Sequence, residues 1–199
     1  MIARRLIAVS AFCCAVALSA TVVPAREVSG VSMPEVVSVE GRELRLNGMG
    51  VRKEKVFFKV YVIGLYLEKP TQDAQAAITT DEAKRIVIRM LRDVSREDFV
   101  LALETGMKRN SGPAMPTLRA RLDLLEQALP APQKGNVLDL TYLPGTGTLL
   151  RGQGKEIRIP GKDFADALLS AWLGSKPVGG SLKRELLEPD GDPTATSFR

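Results

Sequence analysis

The residues able to do chemistry crowd into one stretch, GVRKEKVFFKVYVIGLYLE over 50–68, where Arg52, Lys59, Tyr61 and Tyr66 flank or interrupt a strongly apolar run. A guanidinium is permanently charged and presents a planar fork of donors that matches a carboxylate. Arg52 turned into an apolar cleft would therefore call for an anion, because burying it unpaired costs several kcal/mol in principle. The alternative is an internal ion pair with an Asp or Glu, or simple exposure to solvent. Lys59 alternates with Phe58 and Val60 and reads as a charge snorkelling from a sheet edge. Tyr61 and Tyr66 read as core aromatics with a hydroxyl at the rim. Further along, Lys84 reads as an exposed charge at a strand end.

Composition removes other chemistries. The chain has no histidine, and its two cysteines are the adjacent Cys13 and Cys14. Imidazole bases, Ser-His and Cys-His dyads and histidine-held metals are thereby excluded. No catalytic residue, metal ligand or cofactor is assigned. The turns Gly145-Thr-Gly147 and Gly152-Gln-Gly154 lack the strand-to-helix context and the following lysine of a phosphate loop, and read as hairpin turns.

Both cysteines sit in a segment with the order of a secretory leader: Arg4 and Arg5, an apolar run from Leu6 to Val23, then Val-Pro-Ala. Cleavage is expected after Ala25, with Ala20 as the alternative, which places the protein in the periplasm and leaves it no cysteine for a disulfide. Phe12 before Cys13 argues against lipid attachment. The remaining chain has no apolar stretch long enough to span a bilayer. Removing the leader takes two basic residues, so 28 − 2 = 26 Lys and Arg stand against 23 Asp and Glu, a net charge of +3. These charges are scattered and few aromatics accompany them, so a nucleic-acid groove has no support. The expected organisation is a leader over 1–25, one domain over 26–190, a size that buries a real core, and a tail over 191–199.

The elements that must position these residues follow from hydrophobic period and turn chemistry. Residues 36–46 read as a hairpin turning at Glu40-Gly41 and closed by Asn47-Gly48. The strand from Val56 to Leu67 is apolar on both parities and should be covered on both faces. A short helix over 74–78 and a strand over 85–91 come next. Ser95 caps a helix with Glu97 and Asp98 in its first turn, ending at Asn110-Ser-Gly112. A second helix over 115–129 carries leucines at 118, 122, 125 and 129 on one face. Both helices read as packing elements. Strands over 136–143, 148–151 and 156–159 follow, with Asp139 and Thr141 on the parity opposite the core. A helix opened by Pro160-Gly161 lines up Phe164, Leu168 and Trp172, whose indole N–H needs a partner. A short helix over 181–187 precedes the tail. Strands grouped around helices, without βαβ alternation, argue for an α+β fold with a mainly antiparallel sheet.

Three stretches together resemble one family. The run over 50–68, in which Gly-Val-Arg leads into a strand ending Ile-Gly-Leu-Tyr-Leu-Glu, is similar to chalcone isomerases. RMLRDVSREDFVLALETGMKRN (89–110) and GKEIRIPGKDFADALLSAWLGSKPVGGSLKRELL (154–187) resemble the exported bacterial branch, the chalcone isomerase-like proteins. The resemblance implies an antiparallel sheet with helices layered on one face, an open-faced β-sandwich, and a cleft between the layers. In the plant enzymes that cleft takes a flavonoid, and in related plant proteins fatty acids. Residue by residue, the enzymes' oxyanion-stabilising arginine falls on Arg52 and their strand threonine on Tyr61. Their helix-start tyrosine and lysine fall on Val94 and Glu97, which cannot do the same work, and a further lysine corresponds to Lys84. The expected ligand site is therefore Arg52, Tyr61 and Lys84. The expected partner is a small amphiphile, a fatty acid or an aromatic carbonyl compound. Binding without catalysis comes first; an isomerase or lyase acting on a conjugated carbonyl, or a scaffold for an envelope partner, are the alternatives.

Overall fold

The computed structural model describes residues 24–55 and 57–189. The expected leader lies outside them except for its last two residues, and the expected tail over 191–199 lies outside them altogether. Nine strands and five α-helices are described: β1 (Ala25–Val28), β2 (Val31–Pro34), β3 (Val36–Val39), β4 (Arg42–Glu54), β5 (Phe58–Leu67), α1 (Ala74–Thr79), β6 (Lys84–Met90), α2 (Arg96–Ser111), α3 (Met115–Ala128), β7 (Val137–Leu143), β8 (Gly147–Gly152), β9 (Lys155–Ile159), α4 (Lys162–Leu173) and α5 (Gly180–Leu186).

Strands β3 to β9 form one seven-stranded sheet in chain order. Every neighbouring pair is antiparallel. This is the expected α+β architecture. Ser95 caps α2 as the sequence indicates, its hydroxyl accepting the Asp98 amide at 3.0 Å.

Strand β5 shows why both of its parities are apolar. Tyr61, Ile63, Leu65 and Leu67 pack with Phe99, Leu103 and Met107 of α2, Leu118, Leu122 and Leu125 of α3, and Phe164, Leu168 and Trp172 of α4. Val62 and Tyr66 face the other way, into a second core with Val31 and Met33 of β2, Leu44 and Leu46 of β4, and Leu149 of β8. Burying a Leu or Ile side chain contributes about 1.5–3 kcal/mol, so a strand buried on both sides is held in register from both. The helices lie on one face as expected; the β1–β2 hairpin, which the sequence did not reveal, covers part of the other.

Two local expectations change, and a third, the parity of Asp139 and Thr141, holds with an addition. Asn47-Gly48 does not end a hairpin: β4 runs through it, with a register shift between Leu46 and Gly48. Asn47 is fully buried there; its amide donates to the carbonyls of Thr71 and Leu186 at 3.0 and 2.8 Å and its oxygen accepts the Thr71 amide at 2.6 Å. Strand β5 runs from Phe58 and leaves Phe57, which the expected strand included, in a turn, and Phe57 and Phe58 stand 86% and 56% exposed. Asp139 and Thr141 are buried, because their face of the sheet is also covered. Asp139 accepts two bonds from Arg85 at 3.0 and 2.7 Å and one from the Thr141 hydroxyl at 2.7 Å.

Candidate functional site

Arg52 on β4 stands directly across from Tyr61 on β5, and Tyr61 across from Met90 on β6. Cross-strand partners share a face of the sheet, and a register shift follows at once between Arg52 and Lys53, where an irregular ladder re-aims a side chain. The two residues border a cleft of about 450 Å³ between the sheet and α2 and α4. Its walls include Val60, Phe99, Leu103, Ala171 and Trp172, and its rim carries Arg52, Glu54, Arg92, Asp93 and Asp98. An apolar body with a few polar groups at one side is the composition of a small-molecule site, and the volume is of the usual size.

The polar geometry is specific. Trp172 donates its indole N–H to the Tyr61 hydroxyl oxygen at 3.0 Å, which satisfies the indole and leaves the tyrosine proton free to be donated. Burial pushes the Tyr61 phenol above its usual range, against the opposing pull of the Trp172 N–H and the Arg52 charge, so it stays neutral. Phe99 meets the Tyr61 ring edge-on, with centroids 6.3 Å apart, and fixes its plane.

Arg52 is half-buried and donates to the Lys53 carbonyl at 2.9 Å. Among the described residues no carboxylate forms an ion pair with it. The alternative of an internal ion pair is therefore not what holds Arg52; its fork borders the cleft with capacity to spare. Gly179, before α5, lies beside it: a Cβ there would make ordinary contact with the guanidinium, at 3.6 Å. Helix α5 is seated in turn by Gly48 and Gly50. A Cβ on Gly48 would stand 2.3 Å from the Glu185 carbonyl oxygen. The Glu185 carboxylate accepts the Val51 amide at 3.0 Å, beside Arg52. The Gly-Val-Arg sequence thus serves a close approach as well as a charge.

Lys84 does not join this site. It opens β6, across from Leu67 and Tyr142 and six residues from Met90, roughly 20 Å along the strand at about 3.3 Å per residue. Nor is it an exposed strand-end charge. It is 2% exposed, its ammonium donating to the Ile78 carbonyl at 2.5 Å beside a small void that Tyr142, Thr148 and Leu169 also line. Burial pulls its pKa down to about 8, with Asp166 the strongest opposing influence. The physical reason is parity: Lys84 shares the helix-facing side of β6 with Ile86, Ile88 and Met90, under α1 and α4. That alternation is present in KRIVIRM and could have located it.

Lys59 is exposed opposite Lys53, beyond the end of β6, as a solvated charge should be. Tyr66 is core on the opposite face, its hydroxyl donating to the Pro34 carbonyl at 3.0 Å. Helix α2 is not only a packing element: Leu101, Ala102 and Thr105, besides its buried stripe, line the cleft. Val94 lines it too, whereas Glu97 is exposed and does not. Among the described residues no cluster of His, Cys, Asp or Glu could hold a metal ion, and no helix is long and apolar enough to cross a membrane.

Comparison with known proteins agrees with this architecture. The family model described as chalcone isomerase-like matches residues 25–188. No curated protein matches the sequence. Among solved structures, a fatty-acid binding protein of Arabidopsis thaliana superposes with a TM-score of 0.64 at 16% identity, over 82% of this chain and 96% of that one; at that identity the likeness is one of fold.

Proposed function

Because the chain belongs to the chalcone isomerase-like family, we propose that it is a non-catalytic binding protein that holds a small amphiphilic acid, such as a fatty acid, in the cleft between sheet and helices. The observation that carries this reading is Arg52: a guanidinium at the border of an apolar cleft of about 450 Å³, bonded among the described residues to a single backbone carbonyl. A carboxylate docked there would take the bidentate fork of Arg52 and the hydroxyl proton of Tyr61, while its chain lies against Phe99, Leu103 and Trp172. The fatty-acid binding neighbour of the same fold supports this choice of ligand. The leader-like N-terminus supports a periplasmic site of action.

Val94, where the enzymes carry a tyrosine, brings no donor to the cleft, which favours binding over cyclisation. The same Arg52 and Tyr61 would stabilise a developing oxyanion if the ligand were a conjugated carbonyl compound; turnover of a chalcone panel, abolished by Arg52→Ala, would establish that second reading. The openness of the cleft counts against a pure scaffold for an envelope partner. The test of the first reading is extraction of protein purified without denaturation, followed by mass spectrometry and titration with fatty acids. A co-purifying acid and measurable affinity are expected; no bound acid together with no affinity would sink the proposal.

A further inference from the structure

The tip where β4 passes into β5 contradicts the rest of the fold. Strand β6 pairs β5 only as far as Tyr61 and Met90, with one more bond from the Leu91 amide to the Val60 carbonyl. Beyond that, the ends of β4 and β5 project as a two-stranded ribbon. At its end Phe57 is 86% and Phe58 56% exposed. Around them stand Lys53, Lys55 and Lys59, all exposed, and among the described residues none of the three is in an ion pair. Lys53 lies directly across from Lys59, a like-charge placement that weakens a ribbon. Local choices that disfavour the fold gather where function requires them.

Two aromatic side chains flanked by three lysines and one carboxylate, that of Glu54 across from Phe58, match one chemistry. The rings seat in the boundary between headgroups and acyl chains, and the ammonium groups face anionic phosphates. A protein partner fits less well: the two aromatic side chains together offer about 300–500 Å², short of the roughly 600 Å² that each partner contributes to a stable interface. The tip also adjoins the cleft, because Glu54 of β4 and Val60 of β5 line it, and Leu101 of α2, 61% exposed, continues the apolar surface at its mouth.

We propose that the β4–β5 tip docks on an anionic phospholipid surface, with Phe57 and Phe58 inserted and Lys53, Lys55 and Lys59 against the headgroups, so that the cleft mouth opens toward the bilayer. The docking is a property of the tip and holds whatever the cleft contains.

The test is co-sedimentation of the isolated protein, its N-terminus read by mass spectrometry, with phosphatidylcholine vesicles containing or lacking phosphatidylglycerol, at low and high salt. Binding is expected to the anionic vesicles and to fall with salt. Phe57→Ser with Phe58→Ser should weaken it about tenfold or more, and each lysine changed to Gln should weaken it about fivefold, with unfolding midpoints unchanged. Affinity for acids in solution should be unaltered in the double Phe variant, which separates failure here from failure of the cleft reading. No binding to anionic vesicles, or equal binding by parent and double Phe variant, would overturn the proposal. So would a dimer in sedimentation velocity that the double Phe variant turns into monomer without any vesicle binding.

Discussion

The two ends of the sheet each carry a basic residue on the side that faces the helices, and they treat it in opposite ways. At one end Arg52 borders an open cleft of about 450 Å³ and finds a single backbone carbonyl among the described residues. At the other, Lys84 is enclosed beneath α1 and α4 beside a void of about 10 Å³, and its ammonium is bonded to Ile78. Tyrosines accompany both. Tyr61 accepts the Trp172 N–H and retains a proton for the cleft, whereas Tyr142 donates its proton to the Asp81 carboxylate at 2.6 Å. Covered charge with satisfied neighbours reads as structure; uncovered charge with spare donors reads as a site. The difference lies in what packs above each residue rather than in the residues themselves.

The contrast can be broken most severely where α5 braces the Arg52 end. Gly48→Ala places a methyl group against the backbone of Glu185 and Leu186, and overpacking of this kind should cost about 3 kcal/mol. Urea unfolding would show it, and an unchanged midpoint would mean that α5 is not seated as described. Next in size, Arg52→Ala should lower fatty-acid affinity about tenfold to a hundredfold while moving the unfolding free energy by less than about 0.5 kcal/mol. A loss of stability without loss of affinity would make Arg52 structural, like Lys84.

Lys84→Met tests the other end. The folded state holds Lys84 at about 8 against 10.5 in the unfolded chain, so its burial penalty is fully present below pH 8. Between pH 8 and 10.5 the unfolded state binds the extra proton and the parent gains stability as pH rises. The variant should therefore be the more stable by about 1–2 kcal/mol at pH 7, and its advantage should shrink across that window, with acid affinity unchanged. A gap independent of pH would show that the ammonium is not desolvated. The smallest effect is expected for Tyr61→Phe, which leaves the Trp172 N–H without its acceptor and costs about 1 kcal/mol. Calorimetry should also show acid affinity about fivefold weaker, and an unaltered affinity would remove Tyr61 from the ligand's contacts.

Much of this was legible beforehand for a local reason. The double parity of β5, the leucine stripe of α3, the Ser95 cap and the alignment of Phe164, Leu168 and Trp172 depend on neighbours within a few positions, so period and capping chemistry express them directly. The β1–β2 hairpin left no such mark, since four-residue strands carry little periodic signal. Asn47-Gly48 misled because those residues make turns elsewhere, and only the approach of α5 and of the segment at Thr71 turned Asn47 into a buried bridge.

The sequence by itself determined the order of elements from β3 to α5, the sheet class, the two apolar faces of β5 and the presence of a guanidinium suited to an anion. Tertiary structure alone decided which charges meet water. Lys59 and Lys84 belong to neighbouring strands of one sheet, yet the first lies where β6 has ended and the second where two helices close over it. Solvation of a charge depends on what long-range packing places above it, and no window of the chain contains that information.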